Sequence, residues 1–374
     1  MKYPLLPYSQ LVFDMLKTNP DVYYTRFGLR VDKRKVDVAR LRYAVETALR
    51  NHPALSMRVD EEGMQEYEPL ADIMHGQYHS VDFCDEGENV HIDVAYNRIL
   101  GDSKSELMVF EDVCRAYRNL PLLQDLYLDY LQRTEEEKRS YRYNADREWL
   151  EHEFGAVTYP VHPKTDEPLN TNCIPVEGTL PEDYSVMQKG IESLKRERLI
   201  PLTALFSIAS AMAIMEYNGT DEAALTWAYE GREKPEEQRV YGSLHRDVPF
   251  RLRKSQIDNH ESAIRLARKQ YRVGIAHSTY PFTLIHPHTD IWNYALNVIV
   301  RPTVNDMKEK VPFPFQTIPS ADEPVPAYAL LDMEIMEQTD SLHLRYRYSA
   351  THYKPESIRR FAALVRKYVE WLID

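Results

Sequence analysis

Two periods of hydrophobic residues are interleaved along this chain. A helical period over residues 36–51 predicts an amphipathic helix. Its inward positions are Val36, Leu41, Val45 and Leu49. Residues 90–96 then alternate apolar and polar side chains, which predicts a half-buried strand. Together these patterns predict an α/β protein.

The pattern continues to the end of the chain. After the first strand, a helix is predicted with the inner stripe Leu107, Phe110, Cys114 and Tyr117. Further helices are predicted near 183–196, 202–217 and 259–276. Further strands are predicted near 223–229, 247–253, 293–300, 329–337 and 341–348. Gln338-Thr339-Asp340 predicts a hairpin turn, and Pro355 begins a final helix with Ile358, Phe361, Val365 and Leu372 inward.

A polar segment divides the chain. Residues 143–176 carry prolines at positions 160, 163, 168 and 175, which indicates a crossing between two halves. The length of 374 residues also suits two domains better than one. We therefore expect two α/β lobes, residues 1–165 and 166–374, each a mixed sheet flanked by helices.

Charge and composition narrow the function. With 46 basic and 58 acidic residues the formal charge is −12, which argues against a nucleic-acid partner. Neither GxGxxG nor GxxxxGK[ST] occurs, so nucleotide chemistry has no motif. Three cysteines without CxxC spacing fit a reducing compartment. The N-terminus lacks a signal-peptide core, and the apolar run 199–215 is too short to cross a bilayer, so we expect a cytoplasmic protein.

The strand–turn–helix at residues 90–118 carries the most informative motif. Considered alone, Ser103 and Glu106 predict a helix capping box. The turn Asn97–Ser105 also aligns with HHxxxDGxS, and the chain resembles the condensation domains of nonribosomal peptide synthetases, of the chloramphenicol-acetyltransferase-like superfamily. Further elements in family order are Pro7–Gln10, Asn51–Ser56, Tyr127–Tyr130, Trp149-Leu150, Gly231-Arg232, Gly242–Arg251 and His277–Phe282.

The resemblance implies a fold and partners. It implies two acyltransferase-like lobes that form a V with a central tunnel for thioesters on phosphopantetheine arms. The partners would be peptidyl or acyl carrier proteins, adjacent synthetase domains or a tailoring enzyme. The chain itself would hold no cofactor, since the phosphopantetheine belongs to the carriers.

The motif has lost both histidines, which decides the functional hypothesis. In the family the second histidine positions or deprotonates the acceptor amine. Arg98 occupies that position, and a guanidinium stays protonated, although it can stabilise an oxyanion or hold a phosphate. The degenerate catalytic turn would then comprise Asn97, Arg98 and Asp102. Ser105, His277 and Arg246 would line the substrate site.

No other histidine is an obvious replacement. His91 lies on the same strand about 20 Å from the motif, which is too far. His277 is the only alternative within a motif, and packing at a helix end is the preferred interpretation there. Asn51 and Ser56 replace two family arginines, one of which pairs the motif aspartate. Asp102 must therefore pair with Arg98 or with an arginine of the second lobe, or cap its helix.

Two subfamilies bear on these losses. Heterocyclisation domains carry DxxxxDxxS, which Asn97, Asp102 and Ser105 approach, but an amide cannot do the acid–base work of a carboxylate. The X domains, which recruit oxygenases, carry HRxxxDD and share the arginine. We therefore expect a docking or recruiting protein that lacks the usual base. Alternatives are an active amide- or ester-forming domain that works by positioning its substrates, or a free-standing acyl-coenzyme A acyltransferase.

Two weaker signals remain. His286, His288 and Asp290 resemble metal ligands, but a surface loop is preferred and no metal is expected. Arg251-Leu252-Arg253-Lys254 is a basic cluster. It could touch a carrier's phosphopantetheine or acidic helix, and a solvated strand end is the simpler interpretation.

Overall fold

The computed structural model describes residues 1–374 apart from positions 18, 22, 157, 170–176, 286–294, 302–310, 320–329 and 339. Within the described residues the helices are α1 Pro7–Leu16, α2 Val38–Arg50, α3 Ser103–Tyr117, α4 Tyr127–Glu137, α5 Tyr141–Phe154, α6 Gln188–Glu197, α7 Leu202–Asn218, α8 His260–Ala276 and α9 Pro355–Ile373. The strands are β1 Lys2–Pro4, β2 Tyr24–Asp32, β3 Met57–Val59, β4 Met64–Tyr67, β5 His79–Glu86, β6 Asn89–Asn97, β7 Glu177–Asp183, β8 Glu222–Tyr229, β9 Arg246–Arg253, β10 Asn297–Arg301, β11 Gln316–Pro319, β12 Leu331–Glu337 and β13 Leu342–Ser349.

The first of two compact units comprises Met1–Lys138, Glu230–His245 and Val304–Glu323. It contains a three-stranded sheet in the order β1-β4-β3 and a four-stranded sheet in the order β11-β2-β6-β5. Its core confirms the amphipathic α2, because all four predicted inward positions are buried. Asp37 caps that helix by accepting a hydrogen bond from the amide of Arg40.

The second unit comprises Arg139–Tyr229, Arg246–Thr303 and Pro324–Asp374. Its six-stranded sheet has the order β7-β13-β12-β10-β8-β9, and β10 runs parallel to β8 and β12. One face of the sheet packs on α7, α8 and α9 in an apolar core. The predicted inward residues of α9 are fully buried, and β12 and β13 form the predicted hairpin. The predicted mixed α/β class is confirmed.

The compact units differ from the contiguous halves 1–165 and 166–374 that the sequence predicts. The first change of unit falls after Lys138, and segments 230–245 and 304–323 belong to the first unit. Strand β11, for example, pairs with β2 across almost 300 residues of sequence, with Thr317 opposite Leu29. Such long-range pairing leaves no local pattern. The polar segment 143–176 also begins as helix, since α5 extends to Phe154.

Other differences are local. The buried side of α3 carries Ser105, Asp112, Val113, Cys114 and Ala116, so of the predicted stripe only Cys114 is fully buried. The stripe is rotated because Ser105 and Asp112 turn inward to hydrogen-bond partners in this unit. Strands β1 to β5, β7 and β11 were not predicted. Among the described residues no single helix is long and apolar enough to cross a bilayer, and one bent pair, Ser185–Glu197 with Leu202–Asn218, meets that test jointly across a 114° break.

Candidate functional site

The motif turn connects the end of β6 to the start of α3 in the first unit. Asp102, rather than the predicted Ser103, caps the helix, and its Oδ1 accepts a hydrogen bond from the amide of Ser105 at 3.0 Å. An aspartate in extended backbone before a helix is well suited to this role, since its charge also complements the helix dipole. The aspartate therefore has the capping role that the sequence analysis considered.

Asp102 also forms a buried ion pair with Arg232. The guanidinium is bidentate, with Nη1 2.8 Å from Oδ2 and Nη2 3.0 Å from Oδ1. The Arg232 side chain is completely buried and that of Asp102 is 8% exposed. Burial favours the neutral acid, but the charge and hydrogen bonds of Arg232 outweigh it and hold the pKa of Asp102 below its ordinary value. Capping and ion pairing thus coexist, and the partner is Arg232 rather than Arg98.

The segment that carries Arg232 is attached to the same turn by backbone contacts. The amide of Leu244 donates to Asp102 Oδ2 at 3.0 Å, and the amide of Gly242 donates to Ser105 Oγ at 3.0 Å. Ser105 Oγ lies 2.9 Å from the Gly242 carbonyl oxygen and 3.0 Å from Asp102 Oδ1. Ser105 is fully buried in this network, so the structure gives it a bracing position, and substrate binding by Ser105 stays a prediction.

The motif alignment predicts that Arg98 stands at the position of the family's base. Its Nη1 donates to Ser103 Oγ at 3.3 Å and lies 3.4 Å from Glu106 Oε1, and its side chain is 23% exposed. Burial lowers the pKa of Arg98, but the nearby Glu106 carboxylate outweighs this and the pKa stays above its already high ordinary value. Arg98 is therefore a fixed positive charge, with donors to offer and no basic lone pair.

Asn97 shapes the turn from inside. It is completely buried at the end of β6, and its Oδ1 accepts a hydrogen bond from the amide of Ile99 at 3.0 Å. This local side-chain-to-backbone bond is the kind by which asparagine stabilises turns. A catalytic role for Asn97 stays a prediction.

His277 and Arg246 belong to the second unit, where both hold the end of α8. His277 Nδ1 lies 3.0 Å from Asp146 Oδ1, and the imidazole stacks on Trp149 at 4.2 Å between ring centroids. Arg246 Nη1 donates to the Ser278 carbonyl at 2.8 Å. These contacts match the helix-end packing that the sequence analysis preferred for His277. Substrate binding by the two residues stays a prediction.

His245 is a residue of the site that the sequence analysis missed. Its ring meets that of Tyr8 edge to face at 3.7 Å between centroids, and its positive form lowers the pKa of Asp102. It directly follows Leu244, whose amide binds the motif aspartate. The available signal was a histidine one residue before Arg246 in a matched element, although the family pattern does not specify that position.

His52 belongs to the motif element Asn51–Ser56, and its side chain is fixed by two aspartates. The ring is 1% exposed, with Nδ1 2.6 Å from Asp125 Oδ2 and Nε2 3.4 Å from Asp112 Oδ2. Asn51, which replaces a family arginine, donates to Asp112 Oδ2 at 2.7 Å. The amide of Tyr241 donates to Asp125 at 3.2 Å, so this network supports the Arg232 segment from its other side.

The two other ligand sites considered in the sequence gain no support from the described residues. Arg251 and Arg253 both pair with Glu222, and Lys254 lies 3.5 Å from Asp221, so each cation of the basic cluster has an ion-pair partner within its own unit. No group of three or more histidine, cysteine or acidic side chains among the described residues could hold a metal ion. The candidate loop at 286–290 lies outside the described residues.

The resemblance implied two α/β lobes and this motif turn, and the comparisons assign the family. The family model for the condensation domain matches residues 88–374, so the chain belongs to the condensation-domain family. No curated protein matches the sequence.

Solved structures share the fold at low identity. The epimerization domain from the third module of tyrocidine synthetase B aligns with a TM-score of 0.79 and 17% identity, over 100% of this chain and 97% of that chain. The X-domain in complex with OxyB from teicoplanin biosynthesis aligns with a TM-score of 0.77 and 16% identity, over 100% of this chain and 93% of that chain. The EpoB cyclization-docking bidomain from Sorangium cellulosum aligns with a TM-score of 0.76 and 15% identity, over 99% of this chain and 86% of that chain.

Proposed function

We propose that the protein binds aminoacyl or peptidyl thioesters tethered to carrier proteins and acts in docking or recruitment, without the usual base-assisted condensation. The observation that carries this proposal is Arg98. A base must accept a proton near neutral pH, and a guanidinium whose pKa is raised further cannot do so. The position that performs proton transfer in the family thus holds a permanent cation.

The other contacts that hold the motif turn in place are present, above all the Asp102–Arg232 ion pair. This favours a site that still binds a ligand over a site that has simply lost its function. Breaking a buried ion pair by removing one partner is costly, about 3–5 kcal/mol, so Asp102 and Arg232 hold the turn in one geometry. Arg98 presents its donors from that fixed turn. Such a cation can hold a phosphate or a thioester carbonyl oxygen, both of which a phosphopantetheine-linked substrate supplies.

Two solved structures with the same fold suggest the binding partners of such a protein. One is an X-domain in complex with OxyB, and another is the starter condensation domain of rhizomide synthetase in complex with C8-CoA. By analogy, the proposed partners are carrier proteins that bear phosphopantetheine, adjacent synthetase domains and a tailoring enzyme. A cytoplasmic location belongs to this proposal.

His245 favours a second candidate function, an active amide- or ester-forming domain. It supplies an imidazole beside Tyr8 and close enough to Asp102 to influence its pKa. Holding two tethered substrates together is worth about 7–11 kcal/mol, whereas a general base contributes about 10²–10⁴-fold, so turnover by positioning is feasible. A free acyl-coenzyme A acyltransferase is less favoured, since a diffusing acceptor gains less from the tether.

One experiment separates these functions. Donor and acceptor aminoacyl groups are loaded on carrier domains, and product is followed by intact-protein mass spectrometry for wild type, Arg98→Ala, Arg98→His and His245→Ala. We expect wild type to bind carriers without forming product, and Arg98→His to gain activity. Product from wild type would overturn the docking proposal.

The variants then distinguish the routes to product. If wild type is active and His245→Ala abolishes the activity together with its pH dependence, His245 supplies the base. If Arg98→Ala alone slows the reaction, the arginine stabilises the developing negative charge. Transfer from a soluble acyl-coenzyme A to a free amine would instead support the acyltransferase.

A further inference from the structure

The outer side of α8 in the second unit carries a basic stripe. Its members are Arg265, Arg268, Lys269 and Arg272. The spacing i, i+3, i+4 and i+7 places all four on one side of the helix, over about 10 Å of its axis. Arg265, Lys269 and Arg272 are exposed and Arg268 is partly buried.

The stripe is not neutralised within the part of the chain that the structure describes. None of its four side chains forms an ion pair there, and the buried Nε of Arg268 has no hydrogen-bond partner. The cluster at 251–254 is the opposite case, since each of its three cations pairs with Glu222 or Asp221. Like charges at helical spacing destabilise a helix, so the stripe does not serve the stability of α8.

Arginines from neighbouring segments contact both ends of α8. At the N-terminal end the acidic Glu261 is taken by Arg198, at 2.5 Å. At the C-terminal end Arg142 of α5 donates to the Ala276 carbonyl at 3.2 Å. The residue before it, Tyr141, is an aromatic side chain that is 88% exposed, a type enriched where proteins bind each other.

We propose that the α8 stripe is a docking surface for an acidic helix of a carrier domain, an assignment that rests on the proposed function. A partner helix with carboxylates at the same spacing can pair with all four cations at once. The formal charge of −12 repels extended polyanions such as nucleic acid, whereas a short acidic helix needs only this local patch. Charged surfaces of this kind accelerate association and select partners.

The test compares two double variants of identical charge change. Arg265→Gln with Lys269→Gln removes two of the four charges of the stripe, and Arg253→Gln with Lys254→Gln removes one arginine and one lysine from the ion-paired cluster at 251–254. Binding of recombinant holo-carrier domains is measured by titration calorimetry, first at about 50 mM and then at about 300 mM salt, where the screening length is shorter. All proteins are checked by thermal unfolding.

We expect the stripe variant to bind about three- to tenfold more weakly at low salt and to lose most of its salt dependence. The control variant is expected to stay within about twofold of wild type. Substituting all four stripe residues should weaken binding by more than tenfold. The thermal unfolding temperature of the stripe variant should be unchanged or slightly higher than that of wild type, since the substitutions relieve repulsion between like charges on α8.

Three outcomes would overturn the assignment. If wild type binds carriers and the stripe variants bind equally well, the docking surface lies elsewhere while the proposed function stands. If wild type binds no carrier domain, the proposed function fails and the carrier is not the occupant. If the substitutions change only self-association in sedimentation, the stripe pairs with a second copy of this chain.

Discussion

Two buried carboxyl groups, one in each unit, behave in opposite ways. Asp102 in the motif turn is held ionised, because Arg232 and the amides of Ser105 and Leu244 face it. Asp332 on β12 is 9% exposed, and burial raises its pKa to about 7. Its Oδ1 has no hydrogen-bond partner among the described residues. Burial alone therefore does not fix the charge of a carboxyl group, and the partner decides it.

The contrast also appears on one strand. Glu334 lies two residues after Asp332 on the same side of β12, and Arg301, Arg345 and Arg347 surround it. Burial raises the pKa of Glu334, but these arginines outweigh that effect and bring it down to about 2. The ionised carboxylates of Asp102 and Glu334 thus stabilise the fold through their arginine partners, whereas burial of Asp332 destabilises the folded protein at neutral pH.

The largest effect is expected from breaking the pair in the motif turn. Arg232→Met removes the guanidinium but keeps an unbranched side chain, and it leaves Asp102 buried without a cation. We expect a loss of about 3–5 kcal/mol in the free energy of unfolding of the first unit, measured by urea denaturation at neutral pH. The double variant with Asp102→Asn should recover a large part of the loss. A loss below about 1 kcal/mol would contradict the buried pair.

A smaller, pH-dependent effect is expected at Asp332. Its folded pKa of about 7 lies above the value of about 3.9 in an unfolded chain. The folded state therefore binds the proton more tightly, and stability falls as the pH rises from about 4 to above 7. Asp332→Asn should raise the free energy of unfolding by about 2–4 kcal/mol at pH about 8 and change it little at pH about 4.

Glu334→Gln is the matched control for that prediction. Its folded pKa of about 2 lies below the unfolded value, so ionised Glu334 stabilises the protein above pH about 4 and loses this contribution as the pH falls towards 2. The control should therefore be destabilised at pH about 8, opposite in sign to Asp332→Asn. Equal pH profiles for wild type and Asp332→Asn would contradict the contrast.

The sequence predicted the local structure well where one face of an element is apolar. The predicted helix at 36–51 and the final helix have the expected buried residues. Strand β2 was missed although Phe27, Leu29 and Val31 alternate with Arg26 and Arg30, so its signal was present. Strand β7 has no such alternation, carries Pro181 and lies at the edge of its sheet, where proline is tolerated.

The candidate site was predictable in its residues and not in its partnerships. The turn at 97–105 could be located because the motif is local. Arg232 is 130 residues from Asp102, and both were named without being joined, since the sequence leaves several arginines equally possible. The basic clusters show the same limit. The one at 251–254 was visible but is ion-paired with Glu222 and Asp221, whereas the α8 stripe became informative only once its lack of ion pairs among the described residues was known.

The smallest effect is expected at Arg98, which sharpens the contrast between this arginine of the motif turn and Arg232, which pairs with the turn from another segment. Its contacts to Ser103 and Glu106 are long, at 3.3 and 3.4 Å, and Glu106 is itself 36% exposed. Oε1 of Glu106 is buried, but this side chain reaches solvent through its other atoms and can turn its carboxylate to water when Arg98 is removed, as Asp102 cannot. Arg98→Met should change the free energy of unfolding by no more than about 1 kcal/mol, measured as for Arg232→Met. A loss as large as that of Arg232→Met would make Arg98 a structural residue and remove the argument that this cation is retained for a ligand.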